Sequence, residues 1–226
     1  MVAWLRPTQE RRLRPALAPV CVRGLWLMEV SLPPGKRERR LRQAARLLGR
    51  QGIRRIIPPE GWEDEGGFER WGLSAVNPLP LCRRKGDELA LCLLSHLPPQ
   101  QRRVALRGGA AGNEAWVLAQ GLCPWVKALS LDFERGEEAL ARRLREAYGA
   151  APVHLGWGQE PQVSIELEPR PNPAGKVIRL WGKPDLGGLV LKGEGTLPEG
   201  MDSLLFLELL WETGRLTAKE IRAEWP

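Results

Sequence analysis

The sequence predicts an α/β fold. It is a mostly parallel sheet with helices on both faces, preceded by a small βαβ segment and followed by a helical hairpin at the C-terminal end. Three observations lead there. Short runs of apolar and β-forming residues alternate with helical runs of about 10–15 residues, the pattern of strands joined by crossover helices. A glycine-bearing stretch, Arg102 to Asn113, sits between one such strand and the next helix. The last segment, from Met201, has the leucine density of a buried helix.

Taken in order, residues 1–20 read as an irregular basic lead-in broken by Pro7, Pro15 and Pro19. Leu25–Val30 is a buried strand, closed by Pro33-Pro34-Gly35. Lys36–Gln51 is a helix: Leu41, Ala44, Ala45 and Leu48 fall at i, i+3, i+4, i+7 and form its apolar stripe. Gly52 stops it. Ile53, Ile56 and Ile57 form a short strand before Pro58-Pro59, which makes the opening β-α-β. A short helix is expected over Trp62–Trp71 and a longer one over Gly86–Leu97. Val104–Leu106, a helix over Asn113–Leu122 and Val126–Leu131 form the central strand–helix–strand unit. Gly136–Tyr148 is a helix with Leu140 and Leu144 inward. Val153–Leu155, Val163–Leu167, Val177–Trp181 and Leu189–Leu191 are expected strands. Met201–Thr213 is a helix stopped by Gly214, and Thr217 caps a second helix to Trp225. The segments group as a lead-in (1–20), an N-terminal α/β segment (21–97), a central unit (98–195) and a C-terminal hairpin (196–226).

Composition narrows the class. The chain has 226 residues, 43% of them hydrophobic, enough to bury a core. No run of about 18 apolar residues would span a membrane. Arg6, Arg11, Arg12 and Arg14 are followed by no apolar core of a signal peptide. Cys21, Cys82, Cys92 and Cys123 form no C-x-x-C pair, and there are two histidines. A reduced, cytoplasmic protein with no bound metal is the expectation. The net charge of +7 is uneven: residues 1–57 carry 14 Lys/Arg against 3 Asp/Glu, and residues 58–226 carry 20 against 24. Arg39, Arg42, Arg46 and Arg50 recur every three or four residues on one side of the first helix. That row is either a solvated surface or a face for nucleic acid or an acidic protein.

The glycine stretch has the order of parts of a Rossmann-like dinucleotide-binding unit, whose fingerprint is G-x-G-x-x-G. In one phase Arg107, Gly109 and Gly112 take the three glycine positions, so Arg replaces the first. If that position needs a left-handed backbone, a non-glycine residue costs about 1–2 kcal/mol there. In the other phase Gly108, Ala110 and Asn113 take them. Asp132, 25 residues after Arg107, stands near the offset of the acid that binds the ribose hydroxyls, and an Asp there favours NAD over NADP. Arg107, Gly108, Gly109, Gly112, Asn113 and Asp132 are therefore the candidate cofactor-binding residues, with NAD the expected ligand. An empty or repurposed unit of the same fold is the alternative.

Residues 102–168 resemble the cofactor domain of shikimate dehydrogenases and glutamyl-tRNA reductases. The resemblance lies in the linker helix, the strand–glycine turn–helix, the helix Glu137-Glu138-Ala139-Leu140-Ala141-Arg142-Arg143-Leu144 and the strand Gln162-Val163-Ser164-Ile165. It implies a dinucleotide-binding fold and, by extension, a degenerate oxidoreductase. The first glycine is missing and no catalytic Lys–Asp pair is present; Lys85 and Asp87 read as a polar turn. Hydride chemistry is not implied with it. His154 follows a strand and could face the carboxyl-end crevice, though a surface histidine is the plainer reading. Leu204–Trp225 has the look of the first two helices of a winged-helix domain, without a recognition helix after them.

Overall fold

The computed structural model describes residues 1–9, 15–59, 61–62, 67–156, 160–195 and 197–226. The chain forms two compact units: Met1–Asn77 with Gly193–Glu220, and Pro78–Lys192 with Ile221–Pro226. Each contains its own five-stranded sheet.

The first unit opens with β1 (Val2–Pro7), β2 (Ala16–Val22), β3 (Leu25–Leu32), α1 (Arg37–Arg50), β4 (Arg55–Ile57) and β5 (Ser74–Ala75). The strand order is β2-β3-β1-β4-β5. All neighbours are parallel except β2, which forms an antiparallel hairpin with β3 at the sheet edge. The described part of the lead-in is therefore largely strand, β1 and the start of β2, rather than irregular. Val2, Ala3, Trp4 and Leu5 are buried in the central strand of the sheet. Pro7 lies at the end of β1, and Pro19 is tolerated because β2 is an edge strand. Arg11, Arg12 and Arg14 lie outside the described residues, as does part of the short helix expected over 62–71; its described end is a 3-10 turn, Glu69–Trp71.

The stripe Leu41, Ala44, Leu48 of α1 packs with Ala3, Leu5, Val30, Leu32 and Ile56 into one core. Alternate strand residues face the other way. Arg55, next to Ile56, there makes a bidentate pair with Glu212 at 2.8 and 2.7 Å. The charged partner lies on the C-terminal helix of this unit, so the sheet has a helix on each face.

The second unit begins with α2 (Leu79–Arg84) and α3 (Gly86–Leu93). There follow β6 (Arg103–Ala110), α4 (Asn113–Leu122), β7 (Ala128–Arg135), α5 (Glu137–Tyr148), β8 (Val153–His154), β9 (Val163–Glu166), β10 (Lys176–Arg179) and β11 (Val190–Gly193). Its sheet has the order β10-β9-β6-β7-β8, and every described pairing is parallel. Numbered from β6 this is 3-2-1-4-5, the order of the Rossmann fold, whose ligand crevice lies where the connections change direction. Here that point is between β6 and β9. Two successive crossovers running the same way, α4 and α5, share one face when both are right-handed. α3 packs beside α4 and against β9 and β10.

The opposite face has no helix crossing it between β9 and β10. The connecting segment 167–175 does so instead. Ser164 Oγ donates to the Ala174 carbonyl, Arg107 to the Pro171 carbonyl, and Arg170 reaches Asp132 on β7.

After β11 the chain forms α6 (Ser203–Glu212), the helix of the first unit that carries Glu212, and ends in β12 (Ile221–Glu224). Asp202 caps α6 by accepting from the Leu205 N–H. The second arm of the expected hairpin is a 3-10 turn, Ala218–Glu220, and then a strand paired with β11. The strand wins because β11 needs an edge partner and because the Ala223 N–H donates to Glu88 of α3 at 2.9 Å. No helix of the described residues is long and apolar enough to cross a membrane.

Candidate functional site

Strand β6 runs to Ala110, two residues beyond where a glycine turn would begin, so Arg107, Gly108 and Gly109 are strand residues. None of residues 107–113 has a positive φ. The backbone penalty expected for arginine in the first glycine position does not arise, because that position is extended. The turn itself is Ala110–Gly112. Gly112, at φ −87° and ψ −162°, precedes α4, and no side chain caps that helix. Gly112 and Asn113 are exposed and open; a Cβ on Gly112 would meet nothing within 4 Å. Gly108 is needed for packing: a Cβ would stand 3.3 Å from the Phe133 ring. A Cβ on Gly109 would stand 2.2 Å from the Glu168 carboxylate, so that side chain lies over the strand end at the crevice.

Arg107 is buried, with 2% of its side chain exposed. It is in register with Asp132 on β7 and Glu166 on β9. In-register parallel neighbours project from the same face, so the three form a charged row across the central strands. Arg107 Nε donates to Asp132 Oδ2 at 2.9 Å and Nη1 to Glu166 Oε1 at 3.3 Å. Arg170, from the 167–175 segment, donates to Asp132 Oδ1 and to Glu134 Oε1, both at 2.6 Å. Burial pushes the Asp132 carboxyl up, but the hydrogen bonds from Arg170 and Arg107 outweigh it and hold it below the usual range.

The six residues read from the sequence are thus split. Gly109, Gly112 and Asn113 lie at the carboxyl end of the sheet. Gly108 is packed under Phe133. Arg107 and Asp132 hold each other inside the sheet, and both Asp132 oxygens are taken by arginine. Two residues the sequence reading missed stand closer to the crevice. Glu134, two residues beyond Asp132 on the same face of β7, is 62% exposed. Its signal was available, since it is the later acid of the same strand. Glu168 comes from a loop whose path no local pattern reveals.

His154 ends β8, with its Nδ1 2.7 Å from Glu137 Oε1, while Glu137 Oε2 accepts from the Phe133 N–H. Lys85 is buried and pairs with Glu88, and Asp87 packs against Gly121 with its carboxyl pushed up by burial. Both belong to the α3–α4 packing. No group of three or more His, Cys, Asp or Glu is placed to hold a metal among the described residues.

No protein-family model matches the chain, and no curated protein sequence does. Among solved structures it is similar to an L-tryptophan dehydrogenase from Nostoc punctiforme, at 17% identity and a TM-score of 0.31 over 62% of this chain and 42% of that one. It is also similar to a shikimate 5-dehydrogenase-like protein, at 11% identity and a TM-score of 0.27 over 62% of this chain and 55% of that one. The chain covers less than two thirds of either structure, and at these scores the Rossmann-like assignment of the second unit rests on its own strand order.

Proposed function

We propose that the second unit binds a nucleotide, with NAD the first ligand to test, and that the chain is a degenerate oxidoreductase-type protein. The observation that carries this is the parallel order β10-β9-β6-β7-β8, with β6 feeding the uncapped, exposed start of α4 at the point where the connections reverse. In this reading the Ala110–Asn113 backbone faces the pyrophosphate. Glu134, which also pairs with Arg170 but is 62% exposed against 13% for Asp132, accepts the ribose hydroxyls with its open side. Glu168 opposes binding, because its carboxylate lies beside Gly109 where a second anion would approach.

The test is titration of the protein with NAD and NADP, followed by tryptophan fluorescence and calorimetry. Saturable NAD binding is expected. Glu134→Gln should weaken it by about one to two orders of magnitude, since a hydrogen bond to a charged group contributes roughly 1.5–3 kcal/mol. Glu168→Gln should tighten it. Absence of any saturable signal at millimolar nucleotide, in both the wild type and Glu168→Gln, sinks the reading.

A second reading is supported by α1. Arg39, Arg42, Arg46 and Arg50 are all exposed, and none has an ion-pair partner among the described residues. Arg42 stacks over Trp71 at 4.9 Å. Such a row suits nucleic acid or an acidic protein. On duplex DNA the affinity should fall with salt at a log–log slope of about −0.9 per phosphate neutralised. Changing the four arginines to Gln should flatten that slope without unfolding the protein. No retardation of duplex or single-stranded nucleic acid at low salt would leave only the acidic-protein version.

A further inference from the structure

The sheet of the second unit has an open cavity of about 510 Å³ at the amino ends of β7 and β8. Two unbroken stretches of chain wall it. Residues 123–129 lead from α4 into β7, and residues 148–153 lead from α5 into β8. Around it stand three of the six large apolar side chains that are exposed among the described residues: Trp125, Tyr148 and Val153, at 54%, 45% and 40%. Tyr148 and Val153 belong to the wall. Trp125 lies between the wall residues Pro124 and Val126 without lining the cavity, so its ring projects from the rim. Exposed apolar groups gathered in this way mark contact surfaces.

The aromatic groups are held in place before any contact forms. Trp125 ends the 3-10 turn Cys123–Trp125, whose middle residue is Pro124. Tyr148 ends α5; its ring lies 6.3 Å from that of Trp116, and its hydroxyl accepts from Gln120 Nε2 at 2.9 Å. Burying these rings therefore costs little ordering and leaves no hydroxyl unsatisfied. The backbone alongside is a poor template for a further strand. β8 is an edge strand of two residues, and Pro152 before it has no N–H to give. Contact here is made by side chains, with a projecting indole beside a hole. Two opposite charges accompany them. Lys127 is on the β7 wall and Glu146 is near the end of α5; both are exposed, and neither makes an ion pair among the described residues.

We propose that this end of the second unit is a twofold contact between two copies of the chain: Trp125 of each copy enters the other's cavity, and Lys127 of each faces the other's Glu146. A projection and a hole side by side are complementary to the same surface turned about a twofold axis, and so are opposite charges beside them. The cavity volume is in the range that holds a small aromatic molecule. An unrelated partner would have to supply both a hole for Trp125 and a group for the cavity; a second copy supplies both. With three apolar side chains at its centre, the contact is of the small, transient class. It lies at the opposite end of the sheet from the nucleotide crevice and stands or falls independently of nucleotide binding.

The test is sedimentation equilibrium of the whole chain from about 1 to 300 µM, the range in which a small contact associates. The mass should rise with concentration from 25.3 kDa toward twice that value. Trp125→Ala should weaken the association at least about tenfold, because the change occurs twice in one dimer. Lys127→Glu and Glu146→Lys should each weaken it about tenfold, since each sets like charges against one another at two places. All three residues are exposed, so the variants keep the fold, which an unchanged denaturation midpoint checks. Mixed together, the Lys127→Glu and Glu146→Lys proteins should form a heterodimer as tight as the wild type, because both cross-pairs are then opposite in sign. Only a twofold contact gives that recovery. The proposal is overturned by a single 25.3 kDa species throughout the range, by an association that Trp125→Ala leaves unchanged, or by mixed charge variants that associate no better than each alone.

Discussion

Replacing Arg107 by Met should destabilise the second unit by about 3–5 kcal/mol in chemical denaturation, the cost of stripping one partner from a buried ion pair. The loss falls unequally on its two carboxylates. Asp132 keeps Arg170 at 2.6 Å. Glu166, with 5% of its side chain exposed, loses the ion-pair partner that Arg107 supplies and stays in the sheet as an uncompensated charge. A second substitution, Glu166→Gln, should therefore recover much of the loss in the Arg107→Met background while being costly alone, a coupling that a double-mutant cycle reads directly. The acid limb gives an independent check. The Asp132 carboxyl is held below its ordinary value in the fold, so its contribution is fully present above the unfolded value and is lost as pH falls through the folded one. Without Arg107 the folded value rises toward the ordinary one. The variant should then show less of this acid-range loss than the wild type, from an already lower plateau. A loss under about 1 kcal/mol at neutral pH would mean that water reaches the row and that the row does not hold the sheet together.

Arg107 also shows where this Rossmann-like unit departs from a dinucleotide-binding one. In a dinucleotide unit the first strand delivers a glycine to the turn, and the second strand ends in an acid left for the ribose. Here the residue in the glycine's place is drawn back into the strand and spends the candidate acid on an internal pair. The 167–175 segment needs that arrangement, because among the described residues it crosses the sheet face between β9 and β10 without a helix. Arg107 and Arg170 supply the anchors. The same substitution leaves Glu134 as the exposed acid of β7, while Glu168 lies against the glycine end.

The helices were largely readable from sequence, because an amphipathic stripe is a local signal: Leu41, Ala44 and Leu48 place α1, and Leu140 and Leu144 place α5. The central strand–helix–strand order was readable for the same reason. β1 was not. Its apolar run is only Val2–Leu5, and three nearby prolines suggested coil; Pro19 is harmless only because β2 lies at an edge, which is a property of the sheet rather than of the segment. The C-terminal strand was hidden similarly, since Ile221–Glu224 becomes a strand by pairing with β11. At the site, the 25-residue offset between Arg107 and Asp132 was noticed, and it does reflect cross-strand register. Its meaning was missed because register with β9 brings Glu166 to the same arginine, and nothing in the local sequence fixes that register.

Gly175→Ala should be the most damaging single-methyl change in the second unit. Gly175 has φ +70°, a conformation that costs a non-glycine residue about 1–2 kcal/mol. The added Cβ would also stand 2.4 Å from the Gln162 carbonyl oxygen, 2.5 Å from its carbon and 2.5 Å from the Pro161 carbonyl oxygen. These are backbone atoms at the start of β9, held by the Lys176 N–H bond to the same Gln162 oxygen at 2.7 Å, so they cannot turn aside as a side chain would. Overpacking of this kind costs roughly 1–3 kcal/mol, which brings the expected loss to about 2–5 kcal/mol. Relief by moving the chain would carry Ala174 off Ser164 and pull the 167–175 segment from Arg107. Gly109→Ala is the matched control. Its nominal overlap is as severe, 2.2 Å, but with the end of the exposed Glu168 side chain, which can swing away at a cost of under about 1 kcal/mol. Moving Glu168 also removes the carboxylate from the crevice, so Gly109→Ala should leave stability nearly unchanged while altering nucleotide affinity, and Gly175→Ala should lower the denaturation midpoint sharply. Equal losses in the two variants would show that the 161–162 backbone yields as easily as a side chain, and that the β9–β10 connection is not a fixed part of the sheet.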